Sequence, residues 1–351
     1  MPDLAVADAG ASSIQGLGRY GSQRYGIAPG GAMDRLALAE VNALTGQPAG
    51  AAAIEIGPLP ARFVSHNGPV RLAFSGAQRD VLVDGRLIDL GRTTLVPDDA
   101  TITVKGARAG QFTYLSFQGG LAGCSRSSAL PTAASGPDAV RSWILQAGDT
   151  IALHTAIDSR RERILRLQRQ TSAPVRVVLG PQLDYFAPED VSRFLATVWS
   201  VSHAANRMAF LLDGGRVALS KGHNIVSDGT VTGNIQIAGS GQPVVILCDR
   251  GTIGGYPKIA TIISADIGRF AQTPAGGTVQ FEAVSVLEAQ SAARDFAFRL
   301  ANIKPKVDDV SEPAVSIEAL LSGNVAGDAF DAMAWRASGG TRPGLDEERA
   351  N

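Results

Sequence analysis

Apolar and polar residues along this chain alternate mostly in short bursts. Pro69 to Phe74 (PVRLAF) switches between the two with the period of a half-buried strand. Asp80 to Val83, Thr101 to Val104, Phe112 to Phe117, Val175 to Leu179, Asn234 to Ile237 and Val244 to Leu247 are brief β-branched or aromatic runs bounded by Gly, Asp and Pro. That is strand-and-turn chemistry. Asp84-Gly85 between two apolar runs predicts a two-residue hairpin, and Asp213-Gly214-Gly215 a second turn. Helical periodicity is rarer. Met33 to Thr45 places Leu36, Leu38, Val41 and Leu44 along one helix, with Asp34 as its N-cap. Pro188 to Thr197 opens with Pro and two acids, and Ser316 to Leu321 predicts a short helix near the C-terminus. The pattern predicts a mainly β protein with a few short helices.

A length of 351 residues predicts about two domains at ~150 residues each. The charged cluster Arg160 to Gln170 (RRERILRLQRQ) reads as a solvated connector, which places an N-terminal β domain at 1–165, a second at 166–300 and a tail at 301–351. The halves echo one another: Gly110-Gln111 leads into a strand and then Gly119-Gly120, and Gly241-Gln242 into a strand and then Gly254-Gly255. Lys+Arg is 32 and Asp+Glu 33, a balance that argues against a nucleic-acid partner. No apolar run approaches the ~20 residues of a membrane helix, and the first residues show no secretion signal. Cys124 and Cys248 cannot build a disulfide framework. The expectation is a soluble, reduced, cytoplasmic protein.

Several catalytic devices are missing from the sequence. There is no G-x-x-x-x-G-K-[ST], no G-x-S-x-G and no H-E-x-x-H, and His66, His154, His203 and His223 have no metal-ligand spacing. No metal is expected. Three polar clusters remain. In the first, Val244 to Asp266, a strand ends in Asp249-Arg250, and a glycine-rich turn (Gly251, Gly254, Gly255) then leads to Tyr256-Pro257-Lys258. Glycines allow positive φ, free N–H groups can hold an oxyanion, and Lys258 and Tyr256 add a cation and a phenol. The competing reading is a sharp barrel corner with Lys258–Asp266 or Arg250–Asp249 surface pairs. In the second, Asn206-Arg207-Met208, the guanidinium either binds a carboxylate or satisfies loop carbonyls. The third, Ser12 to Arg19 with Pro29 to Arg35, lines a cleft or forms a plain turn. Cys248 lies in an apolar run and reads as core.

Together these segments resemble the allophanate hydrolase subunit 2, or KipA, family. The matching stretches are SSIQGLGR (Ser12 to Arg19), YGIAPGGAMDR (Tyr25 to Arg35), GPQLDYF (Gly180 to Phe186), NRM (Asn206 to Met208), GNIQI (Gly233 to Ile237) and GGYPKIATIISAD (Gly254 to Asp266). The last is the most specific. The resemblance implies two cyclophilin-like β-barrel domains. It places Lys258, Tyr256, Arg207 and Asn206 as catalytic candidates, with Gly254, Gly255, Gln182, Gln15 and Arg19 lining the substrate site. Lys258 and Tyr256 would donate to substrate oxygen or carboxybiotin, and Arg207 would orient a carboxylate. The chain departs from the family pattern at Gly16, Gly251, Ile253 and Asp228, and its GGLAGCSRSS segment (Gly119 to Ser128) is short.

Three functions follow from the resemblance. The first is a component of an ATP-hydrolysing 5-oxoprolinase complex, resembling the 5-oxoprolinase C subunit. The second is a carboxyltransferase component acting on urea or a related amide; biotin would arrive on another protein, since this chain has no A-M-K-M motif. The third is a non-catalytic antagonist of a kinase inhibitor. The implied partners are an allophanate hydrolase subunit 1, or KipI-type, protein and a LamB/YcsF-type subunit, in a hetero- or homo-oligomer. The segment after Ala301 either docks on such a partner or forms a plain surface helix.

Overall fold

In the computed structural model of the protein, residues 1–124, 144–154, 162–167 and 173–310 are described. Met1–Val310 forms one compact unit. The tail helix expected over Ser316 to Leu321, and residues 125–128 of the short segment that begins at Gly119, lie outside the described residues. The architecture is mainly β. In the first half, a seven-stranded and a five-stranded antiparallel sheet enclose a core of Leu4, Ile14, Phe63, Leu72, Phe74, Ile102 and Leu115. The Asp84-Gly85 hairpin forms as expected, joining Val81–Val83 to Arg86–Ile88 with Val83 opposite Arg86. Asp84 and Gly85 both take positive φ (46° and 80°), the demand of a tight hairpin turn that twists with its strands.

Helix α1 (Arg35–Thr45) packs against strands Val70–Gln78 and Ala109–Phe117 of the five-stranded sheet. Its residues share a second core cluster with Phe210, Ile235, Val245 and Phe270 of the second half. Asp34 caps it as expected, accepting from the N–H groups of Leu36 (3.0 Å) and Ala37 (3.2 Å). The helix is buried nearly all round, more than its apolar stripe predicts. Its polar residues are buried because the sheet supplies partners. The Ser75 hydroxyl donates to Glu40 at 2.7 Å, and the Ser116 hydroxyl to Asn42 Oδ1 at 2.9 Å.

The second half is built on an eight-stranded sheet. Its order is Thr278–Val279, Trp199–Val201, Ala209–Asp213, Pro243–Ile246, Asn234–Ile237, Lys258–Ile262, Val175–Leu179, Phe281–Ala283. The two edge strands are separated in sequence only by Gln280, so the sheet nearly closes into a barrel. Phe194, from α2 (Pro188–Ala196), stacks on Phe281 at 5.1 Å, and Phe210 tilts against Phe270 at 5.4 Å. Two further helices, α3 (Ile267–Ala271) and α4 (Val286–Ala301), are present among the described residues. The segment after α4 returns to the connector, where Asp308–Asp309 pairs with Arg163–Ile164. No helix among the described residues is long and apolar enough to cross a membrane.

Asp266 anchors the barrel rather than pairing with Lys258. Its carboxylate accepts from Arg176 N (2.9 Å), Nε (3.0 Å) and Nη2 (2.7 Å), and from Arg269 Nη2 (2.9 Å). Burial pushes its pKa up, but these bonds outweigh burial and hold it below the usual carboxylate range. A depressed folded-state pKa contributes stability that is complete above the unfolded value, ~3.9, and is lost as pH falls through the folded one. Asp266→Asn is therefore expected to flatten the acid limb of the stability profile below pH ~4. Urea midpoints measured against pH check this.

Candidate functional site

The third and second clusters meet at the seam between the halves. Loop 29–31 lies backbone against backbone on loop 16–19. Arg19 N–H donates to Pro29 O (2.7 Å), Ala32 N–H to Gly16 O (2.8 Å) and Gly30 N–H to Cys248 O (3.0 Å). Gly31 (φ 89°) is required there, since a Cβ would sit 2.8 Å from Gly18 N. Gln15 works inside this packing: its Oε1 accepts from Gly31 N–H (3.2 Å) and its Nε2 donates to Ser13 (3.0 Å).

Arg207 lies across the seam. Its Nε and Nη2 grip Asp249 bidentately at 2.7 and 3.0 Å, Nη2 also donates to Gly31 O at 2.8 Å, and Nη1 donates to Glu55. Burial would lower its pKa, but Glu55 and Asp249 outweigh burial and raise it. Glu55, 1 % exposed, also accepts from Tyr114 Oη (2.6 Å) and Met33 N–H (2.9 Å), and Tyr114 accepts from Asp34 N–H (2.8 Å). The resemblance has the guanidinium orient a substrate carboxylate; in the structure its bidentate partner is a carboxylate of its own chain. Asn206 likewise serves its turn, its Oδ1 accepting from Met208 and Ala209 N–H (2.8 and 3.2 Å). Arg19 extends its guanidinium over Gly30 toward Asp249. Burial pushes the Cys248 thiol up to about 12, in keeping with a core residue.

The first cluster gathers on one face of the second half's sheet. Strands Asn234–Ile237 and Lys258–Ile262 pair with Gln236 opposite Lys258, beside a register shift between Ile235 and Gln236. Directly opposed residues project to the same face of a sheet. Ile235 and Ile237 belong to the core, so the period of two leaves Gln236 on the other face. Over that face runs a small ribbon in which Asp228–Gly229 pairs with Ile253–Gly254, Asp228 opposite Gly254.

Lys258, 2 % exposed, donates from Nζ to Asp228 at 2.6 Å. That bond, the Gly229 N–H and the Lys258 charge hold the Asp228 carboxyl below its usual range. Gln182 Oε1 accepts from Lys258 N–H (3.1 Å), and Gln182 N–H donates to Lys258 O (3.3 Å). Tyr256, 41 % exposed, stands at the rim. Gly251, Gly254 and Gly255 do not take positive φ, so the expected oxyanion turn gives way to a strand. Gly254 is needed instead for close approach, because a Cβ would lie 2.5 Å from Gln236 Nε2. Arg250 turns inward to Thr230 (3.0 Å) rather than pairing with Asp249.

A cleft of about 1210 Å³ is lined by Asp34, Arg79, Arg108, Arg269 and Gln272 among others; Lys258, Tyr256 and Arg207 do not line it. Within it Arg108 pairs with Asp80 (2.8 Å) and Gln272 with Asp34 (3.0 Å), Arg269 reaches Asp266 (2.9 Å), and Arg79 donates to Gly57 O (2.9 Å) and Gln111 O (3.1 Å) while its Nε meets no acceptor among the described residues. The Lys258 face brings a buried ammonium and two amide side chains together. No group of three or more His, Cys, Asp or Glu side chains among the described residues could hold a metal ion.

The sequence pattern does not mark Asp228 or Gln236 as site residues. Gln236 lies in a short alternating strand, a signal that marks its face but not its neighbour.

The family described as carboxyltransferase domain, subdomain A and B, matches residues 25–283. The 5-oxoprolinase C subunit of Haemophilus influenzae is 33% identical over 307 residues, spanning 85% of this chain and 96% of its own length. Its counterpart of the same name in Escherichia coli is 29% identical over 292 residues, 81% of this chain and 92% of its own. The solved K. lactis urea amidolyase shares the fold, with a TM-score of 0.76 at 22% identity over 86% of this chain. The match spans only 20% of that larger chain.

Proposed function

Since this chain belongs to the family of the carboxyltransferase domain, subdomains A and B, we propose that it works as the C-type subunit of a 5-oxoprolinase complex, which opens a lactam to glutamate with hydrolysis of ATP. The observation that carries this reading is the 33% identity along 96% of the Haemophilus influenzae 5-oxoprolinase C subunit. The geometry supports it. Opening an amide puts negative charge on the carbonyl oxygen, and a buried, preorganised cation stabilises such charge far better than an exposed one. Lys258 is that cation, Tyr256 a second donor at the rim, and Gln182 the residue that holds the Lys258 backbone. Arg207 acts at a distance by clamping the seam that carries Asp249.

ATP is a substrate of the complex. This chain has no glycine-rich phosphate cradle of the Walker type. ATP handling is therefore assigned to the partners, a subunit 1 (KipI-type) protein and a LamB/YcsF-type protein. The assembly is a cytoplasmic hetero-oligomer.

The test is reconstitution. The full chain mixed with those two partners should release glutamate and ADP from 5-oxoproline and ATP, and omitting the chain should abolish the release. A second reading, carboxyl transfer from a biotin carried on another protein, is favoured by the 24% identity over 306 residues to the Saccharomyces cerevisiae urea amidolyase. Consumption of carboxybiotin with urea, and no glutamate from 5-oxoproline, would replace the first reading with the second.

A further inference from the structure

Beneath the ribbon, this face of the sheet holds more hydrogen-bond donors than the chain itself uses. Gln236 is 5 % exposed, and its Nε2 is buried with no acceptor among the described residues. Lys258 Nζ carries three N–H groups, and Asp228 is the one acceptor it meets among the described residues. Arg250 Nε, on a side chain that reaches the same Thr230 whose methyl borders Gly254, is a second buried donor without an acceptor. Leaving a buried donor unmade costs ~1–3 kcal/mol, so such groups persist where something else uses them. Gln236, with its unmade donor, lies directly opposite Lys258, whose ammonium has N–H groups beyond the one given to Asp228, and opposed side chains stand ~5 Å apart at their Cβ atoms. Both donate and neither accepts at these atoms, so the complementary ligand atom is an acceptor that takes two hydrogen bonds at once. A carbonyl oxygen, with two lone pairs, is such an atom.

What covers them is a small ribbon. It has two residues in each strand, flanked by hydrogen bonds from Thr230 N–H to Thr252 O (3.0 Å) and from Ile225 N–H to Gly255 O (2.9 Å). Ile253, on its outer side, is 66 % exposed. The Lys258–Asp228 bond ties it down, and Asp228 is half-exposed and readily rehydrated when that bond breaks.

We propose that Gln236 is a substrate-binding residue: Gln236 Nε2 and Lys258 Nζ together form a two-donor cradle for the carbonyl oxygen of the reacting amide, entered when the Asp228–Gly254 ribbon lifts. Only hydrogen bonds change in this step, with Asp228 passing from Lys258 to water. The inference rests on reading the Lys258 face as the reaction site. It adds that the recognised atom is the amide oxygen and that Gly254 is small so that Gln236 can lie beneath it.

The test uses the full chain, with the side-chain amide of Gln236 followed by nitrogen-resolved NMR during titration with 5-oxoproline and, separately, with urea. A saturable shift of both Gln236 amide protons is expected with 5-oxoproline. In the reconstituted complex, Gln236→Leu should lower kcat/KM for 5-oxoproline by about 10²-fold, the usual cost of one such donor. Gly254→Ala, whose methyl would sit 2.5 Å from Nε2, should do the same with an unchanged near-UV spectrum. No shift with either amide overturns the cradle even if the variants fail to fold. Wild-type turnover by Gln236→Leu overturns the cradle and leaves the lactam reading intact. A shift with urea alone supports the cradle and removes 5-oxoproline as its substrate.

Discussion

Lys258→Met is expected to lower turnover of 5-oxoproline in the reconstituted complex by about 10²–10³-fold, the usual cost of removing a donor from a developing oxyanion. The fold should hardly notice. Lys258 is 2 % exposed, and methionine has a similar unbranched stem to fill the slot. Its partner Asp228 is 54 % exposed and returns to solvent rather than being stranded. Breaking an ion pair is costly when the remaining charge stays buried; Asp228 does not, so the unfolding free energy from urea titration should stay within about 1 kcal/mol of wild type. Lys258→Arg should not rescue. A planar guanidinium is larger than the ammonium it replaces and would have to displace the ribbon above it. Loss of activity in step with loss of structure would mean that Lys258 serves only as a post for Asp228.

Arg207→Met is expected to do the reverse and strike stability first. Glu55 is buried, and the guanidinium is its cationic partner. Removing one member of a buried ion pair costs ~3–5 kcal/mol, because the other charge is left uncompensated. Over the Met1–Val310 unit that corresponds to a fall in Tm on the order of 5–8 °C. Arg207→Lys should fall between, since an ammonium cannot grip Asp249 with two parallel bonds and still reach Glu55 and the Gly31 carbonyl. Adding Glu55→Gln to Arg207→Met removes the stranded charge and should recover part of the loss, a non-additivity expected of residues in one network. Thermal unfolding of the four proteins measures all of this. A substrate-orienting Arg207 would instead raise KM at unchanged Tm.

How much of the molecule is legible in its sequence depends on where each residue finds its partner. Helix α1 is readable because its signals are local: Asp34 caps one end, and Gly46 ends the other with φ 77°. Its complete burial is not, because Glu40 and Asn42 are satisfied by Ser75 and Ser116 from distant strands. Helix α4 escapes a reading by periodicity although Ser285 and Glu288 form a capping box. Its apolar stripe is narrow: Ala292 is buried, and Phe296 and Leu300, one and two turns on, are only partly buried against the core. The chemistry of Arg207 is legible as carboxylate recognition; the identity of the carboxylates, Glu55 and Asp249, is set by how the two halves meet. Lys258 stands out by its motif. Gln236 lies in the GNIQI stretch and Asp228 is a departure from the family pattern, but their nearness to Lys258 is created by a cross-strand register and by a ribbon folded over it. The glycines at 254 and 255 suggest backbone freedom; at 254 the structural need is for missing volume.

The most direct measurement of where the amide sits is a crystal of the full chain soaked with the thiolactam analogue of 5-oxoproline, in which sulfur replaces the lactam oxygen and marks its position by anomalous scattering. The account predicts an anomalous peak between Lys258 Nζ and Gln236 Nε2, with Asp228 turned away from Lys258. A peak in the cleft lined by Asp34 and Gln272 instead, with the Lys258–Asp228 bond intact, would contradict it.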